Sequence, residues 1–410
     1  MMNMRFMRIV DRWIGIPICF IFSCLHIIGK LFGAKRRAFE GQPHNILFME
    51  IAEMGTAIVA SSAIREAKQL YPHAKFYFLI FKELKESAAI LNLIPEENIL
   101  TIRSKSFFTL TFDTIRILWT CRTHQIDTVI DLEFFSRYST IISYLSGARR
   151  RVGFYRFHME GLYRGNFLTH NVAFNPYIHT AQVYYSLIYA LRAPPGEIPL
   201  VKMPVKDLTE IRRNHLKLTS APEHKKVIWD KLKALNPNIT EKRTIVVINP
   251  NSSELIPIRK WPTSNYSMLI KKILNDYPSV YVVITGVKSE KPTAQEICTA
   301  VQNDRCIDFT GQVTLRQLID LYNTSKIIIT NDSGPVHFAS LTNIKIFVFL
   351  GPETPVRYAP LSTNYETFYS NFACSPCVTA FNSLHTPCTN NLCLKTITPE
   401  YVYSKIKNSI

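Results

Sequence analysis

Short, unbroken apolar runs recur along this chain, each ending in a loop of Gly, Asn, Asp, Ser or Glu that leads into an amphipathic stretch. In the first half these runs are His44–Met49, Lys75–Phe81, Ile99–Ile102 and Thr128–Leu132. Continuous rather than alternating apolar character marks strands buried on both faces of a parallel sheet. Helical periodicity fills the intervals at Ala57–Leu70, Glu83–Leu93 and Leu110–Thr123. The segment Arg149–Pro176 is rich in Arg, Gly, Tyr and His, has no clean period and reads as loop. Pro194-Pro195-Gly196, with prolines at 199 and 204, then marks an interdomain stretch.

The alternation restarts with strands at Thr244–Ile248, Val280–Thr285, Ile327–Thr330 and Ile344–Leu350. Helices are expected at Tyr266–Asn275, Thr293–Val301 and Leu315–Tyr322. This rhythm predicts an α/β protein of two doubly wound, Rossmann-like domains. A length of 410 residues also suits two cores better than one. The expected division is residues 1–40 as an N-terminal element, 41–200 as the first domain, 201–243 as linker and helical insertion, and 244–410 as the second domain.

Trp13–Phe32 is nearly all apolar, with Arg5, Arg8 and Arg12 before it and Lys35-Arg36-Arg37 after it. Its polar members, Arg12, Cys19, Ser23, His26, Lys30 and Arg37, fall three, four or seven apart, which draws one narrow polar stripe on a helix. A helix lying in the membrane plane fits this best. A spanning anchor and a helix packed on protein stay open, and positive charge on both flanks gives little orientation bias. No small-x-small site follows the run, which argues against a cleaved signal peptide.

Charge narrows the partners. Net charge is +17, which favours anionic ligands such as phosphorylated sugars or acidic headgroups. No arginine-rich tract, zinc-finger spacing or RNP-like aromatic motif supports nucleic acid. The chemistry concentrates at Ile327–Ser340, where an apolar strand ends in Asn331-Asp332-Ser333-Gly334 and a helix begins at once. Unpaired N–H groups at a helix start attract anions, and such turns hold phosphate at the carboxyl ends of parallel strands.

Several motifs appear together and in order. They are Asn45-Ile-Leu-Phe-Met with Met54-Gly55, Arg151-Val-Gly-Phe154, Asn249-Pro-Asn-Ser252, Arg259-Lys-Trp-Pro262, Thr310-Gly311, Asn331-Asp-Ser-Gly-Pro-Val-His337 and Phe349-Leu-Gly-Pro352. In this order the chain resembles glycosyltransferase family nine, the heptosyltransferases, from His44 onward. The resemblance implies the GT-B fold, two Rossmann-like domains facing a central cleft. It also implies inverting, metal-independent transfer of a heptose-like sugar from an ADP-heptose-like nucleotide-diphosphate donor. The acceptor would be a lipopolysaccharide-core or other anionic, lipid-linked glycan at the cytoplasmic face of the bacterial inner membrane. A nucleotide-sugar epimerase and a non-catalytic glycan-binding or assembly protein are the alternatives.

By resemblance, Asp332, Ser333, Gly334 and His337 contact the donor, and Arg259 with Lys260 steadies its diphosphate. Glu290, just past Gly286 at a strand end, is placed to accept from ribose hydroxyls. The family's first-strand loop carries Gly-Asp, and that Asp is the expected base; this chain has Gly55-Thr56. A threonine hydroxyl accepts no proton near neutral pH, so the base must lie elsewhere or be absent. Glu53 is the first candidate and Glu133 the second. Arg151, Arg156 and Arg164 are candidates for an anionic acceptor. Cys374, Cys377, Cys388 and Cys393 have spacing that suits a structural zinc, with reduced thiols and disulfides as the other readings.

Overall fold

The computed structural model describes residues 4–32, 41–158, 161–194, 197–253, 256–382 and 384–410. It divides into two compact units, Met1–Leu208 and Thr209–Ile410. The first opens with α1 (Met4–Trp13) and α2 (Gly15–Leu31). It continues through β1 (Asn45–Met49), α3 (Met54–Leu70), β2 (Lys75–Phe81), α4 (Lys85–Ala89), β3 (Ile99–Ile102) and α5 (Phe107–Thr123). β4 (Thr128–Asp131), α6 (Arg137–Leu145), β5 (Arg150–Tyr155), β6 (His170–Ala173) and α7 (Thr180–Ala190) complete it. All six strands are parallel, in the order β3-β2-β1-β4-β5-β6.

That order sorts the helices. Connections β1–β2 and β2–β3 step one way across the sheet, and β3–β4 and β4–β5 step the other way. Right-handed crossovers therefore place α3 and α4 on one face and α5 and α6 on the opposite face. The strands carry buried Ile46, Leu47, Phe48, Phe78, Leu79, Val129 and Ile130 because both faces are covered.

The second unit carries α8 (Leu208–Arg213) at its boundary, then α9 (Pro222–Leu235), β7 (Thr244–Asn249), α10 (Thr263–Asp276), β8 (Val280–Ile284), α11 (Lys291–Val301) and β9 (Cys306–Asp308). It ends with α12 (Leu315–Thr324), β10 (Ile327–Asn331), α13 (Gly334–Ser340), β11 (Lys345–Leu350), α14 (Pro355–Tyr358), β12 (Tyr365–Tyr369), α15 (Leu392–Lys395) and α16 (Pro399–Ile406). Its parallel sheet runs β12-β11-β10-β7-β8-β9. Trp261, Tyr266, Phe349 and Phe368 stack against one another in its core.

Three expectations change. Arg149–Pro176 is not wholly loop: it forms β5 and β6, with Val152 opposite His170 and Phe154 opposite Val172. Polar residues at 150, 151, 170 and 171 hide that ladder from periodicity, and its long-range register holds it. The helix expected at Glu83–Leu93 shrinks to a 3₁₀ turn, Lys82–Leu84, and α4. The stretch 201–243 divides between the units, and α9 packs on α12.

The N-terminal run is two helices packed on α6. Asp11 caps α6, accepting from the backbone N–H groups of Arg137 and Tyr138 at 3.0 and 2.8 Å and from the Arg137 guanidinium at 3.1 Å. Gly15 permits the close approach, since a Cβ there would lie 2.9 Å from that of Arg137. The middle of the polar stripe turns toward protein, while Arg12 is exposed. Cys19 and Ser23 are buried, Ser23 Oγ accepts from the Asn166 N–H at 2.9 Å, and His26 meets Tyr144 edge-on. The opposite face, including Trp13, Phe20, Ile21 and Ile28, is exposed. Phe6–Gly29 is long and apolar enough to cross a membrane by length and composition. Arg37 and the basic run at 35–37 lie outside the described residues.

Candidate functional site

In the first unit, β1 and β4 are adjacent and in register, Met49 opposite Asp131, so their carboxyl ends deliver Glu50, Glu53, Asp131 and Glu133 to one place. Glu53 precedes α3 and is exposed, and its Oε2 accepts from Thr56 Oγ1 at 3.1 Å. Thr56 thus orients a neighbouring carboxylate. Glu133 is half-buried, with Oε1 accepting from the N–H groups of Ile51 and Ala52 at 2.8 and 3.2 Å. Burial first, and then the neighbouring Asp131 and Glu53, push its carboxyl up to about 7 despite those bonds. Glu50 was not singled out from sequence. It is fully enclosed, and burial with Glu133, Glu53 and Asp131 around it holds its carboxyl well above the usual range. The signal available was its position, the first residue after an apolar strand.

The three candidate arginines separate. Arg164 is buried and pairs with Asp131, and it also donates to Thr140 Oγ1 and, at 3.1 Å, to the Glu133 carbonyl. Asp131 in turn accepts from the Glu133 N–H at 3.1 Å, so Arg164 braces the loop that presents Glu133. Arg151 donates to the carbonyls of Phe167 and Ala148 at 2.9 and 2.6 Å and lies over the Tyr144 ring. Both guanidiniums are engaged inside the unit, which corrects the expectation that they face an acceptor. Arg156 is half-buried over Tyr163.

In the second unit, β10 ends at Asn331 and α13 starts at Gly334. Buried Asn331 ties the region together. Its Oδ1 accepts from the Trp261 N–H at 2.9 Å and the Tyr266 hydroxyl at 3.1 Å, and its Nδ2 donates to the carbonyls of Pro250 and Asn251 at 2.8 and 3.3 Å. Arg259, on the 3₁₀ turn Pro257–Arg259, reaches between two acids, with Glu353 Oε1 2.7 Å from its Nη2 and Asp332 Oδ2 3.5 Å from its Nε. Asp332 Oδ2 is buried and accepts no hydrogen bond. Glu353, two residues past Gly351, is pushed up to about 8 by burial, with Arg259 pulling the other way. With its carboxyl lifted in this way, Glu353 offsets the charge of Arg259 less than an ordinary carboxylate would, which leaves the guanidinium charge for an anion.

Open space lies above Gly334, with no heavy atom within 4 Å of where its Cβ would sit. Ser333 Oγ points back to the Asn331 carbonyl at 3.3 Å. His337 is half-buried, and burial holds its imidazole below the usual value. Lys260 is half-buried, and its carbonyl accepts from Asn391 Nδ2 at 2.9 Å. Gly286 is needed for packing: a Cβ there would sit 2.7 Å from Asn251 Nδ2 and 2.8 Å from Glu290 Oε2. Glu290 accepts from the Val287 N–H at 2.8 Å and so caps its own turn.

The four cysteines gather behind Gly351-Pro352. The Cys377 and Val378 N–H groups donate to the Pro352 carbonyl at 2.9 and 3.1 Å. Burial, then Cys377, Cys388 and Cys374, push the Cys393 thiol up to about 11. Among the described residues no three His, Cys, Asp or Glu side chains are arranged as a metal-holding set.

The model for glycosyltransferase family 9 (heptosyltransferase) matches residues 116–386, more than half of the chain. The chain belongs to this family. A lipooligosaccharide heptosyltransferase 2 from Campylobacter jejuni serotype O:6 is 29% identical over 182 residues, covering 43% of this chain and 55% of that protein. Lipopolysaccharide heptosyltransferase 2 from Salmonella typhimurium is 28% identical over 128 residues, 30% of this chain and 36% of its own. The matches thus span about a third to a half of these relatives' length. Two solved structures share the fold. ADP-heptose lps heptosyltransferase II from E. coli matches at TM-score 0.66 and 19% identity, over 89% of this chain and 98% of its own. A family 9 glycosyl transferase from Veillonella parvula matches at 0.68 and 16%, over 89% and 97%. The family 9 match takes in Glu133, Arg259, Asp332 and Glu353, but Glu53 and Glu50 lie before it.

Proposed function

We propose that this family 9 chain is an inverting glycosyltransferase. It moves a heptose-like sugar from a nucleotide-diphosphate donor to a lipopolysaccharide-core or related lipid-linked glycan. The observation that carries this reading is the Asp332–Arg259–Glu353 arrangement beside the open turn at Gly334, a cation held ready for a diphosphate. The curated relatives are themselves named heptosyltransferases. In the proposed reaction Glu53 takes the proton of the acceptor hydroxyl, whose oxygen attacks the anomeric carbon. The bond from that carbon to the diphosphate oxygen breaks, and the nucleoside diphosphate leaves beside Arg259. Glu133, Glu50 and Asp131 set the field in which Glu53 works, with Glu133 as the second candidate base. The transfer uses no catalytic metal, a point checked by activity retained in a chelator.

Arg156 is the remaining candidate for an anionic acceptor group. The N-terminal helices hold the protein in the plane of the cytoplasmic face of the inner membrane, with the Cys19–Ser23–His26 stripe on the protein and the apolar face on lipid. The four thiols behind Pro352 take one structural zinc, tested by metal analysis of the purified protein and of its Cys377→Ser variant.

A binding screen of nucleotide-diphosphate sugars against wild type and Asp332→Ala tests the donor half, and transfer or hydrolysis of the bound donor tests turnover. Tight donor binding lost in Asp332→Ala, with turnover, supports the enzyme. Binding without turnover supports the second reading, a glycan-assembly protein, which the Thr56 position favours. Absence of binding to every donor rejects both.

A further inference from the structure

α5 carries an apolar stripe that the described residues of its own unit leave exposed. Phe108, Phe112, Ile115 and Trp119, spaced four, three and four, share one helix face and are 84%, 64%, 63% and 69% exposed. The helix itself is firmly placed. Ser106 and Thr109 form a capping box at its start, and Asp113, Ile117 and Cys121 are buried beneath it. Asp113 is held by Arg103 at 2.8 Å, and Thr114 bonds the Tyr138 hydroxyl at 2.6 Å. The outward stripe is therefore a property of a packed helix.

Composition and placement indicate what covers it. The only acid of α5 is the buried Asp113, while Arg116 and Arg122 lie on the exposed surface and Lys105 stands just before the helix. An apolar aromatic stripe on a helix whose exposed charged residues are both cations matches a surface of lipid tails beneath anionic headgroups. The helix that bears the stripe and the N-terminal helices both adjoin α6. α5 and α6 occupy one face of the sheet, α1 and α2 pack on α6, and Tyr138 touches both neighbours, through its N–H to Asp11 and its hydroxyl to Thr114.

We propose that the α5 face is a second membrane-contact element, which docks on an anionic lipid bilayer beside the N-terminal helices. One helix lying on a surface leaves the protein free to roll about it. A second contact across α6 fixes which side of the first unit faces lipid. The proposal extends the membrane reading of the N-terminal helices and does not depend on enzymatic activity.

The test uses the full chain and vesicles of phosphatidylethanolamine with phosphatidylglycerol. Trp229 and Trp261 are buried, so Trp13→Phe leaves Trp119 as the exposed indole. In that background, brominated lipid is expected to quench Trp119. Phe108→Ser with Phe112→Ser should weaken vesicle binding by about tenfold, from the loss of apolar area, with the melting temperature unchanged because neither side chain is packed. The conservative pair Phe108→Leu with Phe112→Leu should restore most of it. A parallel Phe20→Ser, Ile21→Ser variant reads the N-terminal helices separately, so loss there with no loss on α5 overturns this proposal alone. Unquenched Trp119 overturns it, and so does a chain that dimerises in solution and is made monomeric by the α5 change with vesicle binding intact.

Discussion

The two strand-end sites are built from opposite electrostatic choices. In the first unit four carboxylates, Glu50, Glu53, Asp131 and Glu133, converge at β1 and β4, and the buried arginine nearby is consumed by Asp131. In the second unit two acids flank one arginine, and burial raises the proton affinity of one of them, Glu353, against the pull of Arg259. Crowded carboxylates raise one another's proton affinity, while a cation beside a protonated acid retains charge for an anion. On the proposed reading, proton chemistry belongs to the first cluster and anion binding to the second.

The strongest challenge to that division is Glu53→Gln. Removing a general base costs on the order of 10²–10⁴ in rate, so transfer should fall by at least about 100-fold while donor affinity stays constant. If instead Glu133→Gln abolishes transfer and Glu53→Gln does not, the roles exchange. A loss of the limb near pH 7 from the rate profile would then mark Glu133, whose carboxyl sits at about 7.

Asn331→Ala tests whether the second site rests on its buried amide. The change strands four partners, and unsatisfied buried polar groups cost about 1–3 kcal/mol each before relaxation. A loss of about 3 kcal/mol in denaturant unfolding is expected, and a loss below about 1 kcal/mol would show that the region is held by its apolar core instead. Arg259→Ala should act more narrowly. Charge-assisted bonds contribute about 1.5–3 kcal/mol, so donor affinity should drop by about tenfold or more with little change in melting. Calorimetric titration of the donor reads this directly, and equal affinity in Arg259→Ala would move the diphosphate to another cation.

How much of this was readable depended on distance along the chain. The β10–α13 turn was legible because strand, loop and helix start are contiguous from Ile327 to Ser340. The α/β rhythm was legible because parallel strands buried on both faces are continuous apolar runs. β5 and β6 were not, because their polar residues pair by register across fifteen or more positions, as Val152 does with His170. Arg151 and Arg164 looked like acceptor ligands because a sequence shows charge but not partners. Glu50 and Glu353 were missed for a related reason: burial, a tertiary property, is what lifts their proton affinity.

Glu353 offers the finest test of the contrast. Its carboxyl moves from an ordinary 4.5 to about 8 on folding. Between those values the folded chain holds a proton that the unfolded chain releases, so its stabilising contribution is full below pH 4.5 and is lost as pH rises toward 8. Glu50 and Glu133 act in the same direction, while His337, held below its usual value, works against stability on acidification. The informative quantity is therefore the difference between wild type and Glu353→Gln, whose amide stays neutral. That variant should gain relative stability of about 1 kcal/mol between pH 5.5 and 8.5, after allowance for relaxation. A pH-independent difference would mean that Glu353 is ionised throughout. Donor binding separates the cases a second way. If protonated Glu353 keeps Arg259 available, wild-type affinity weakens above about pH 8 and the Gln variant's does not.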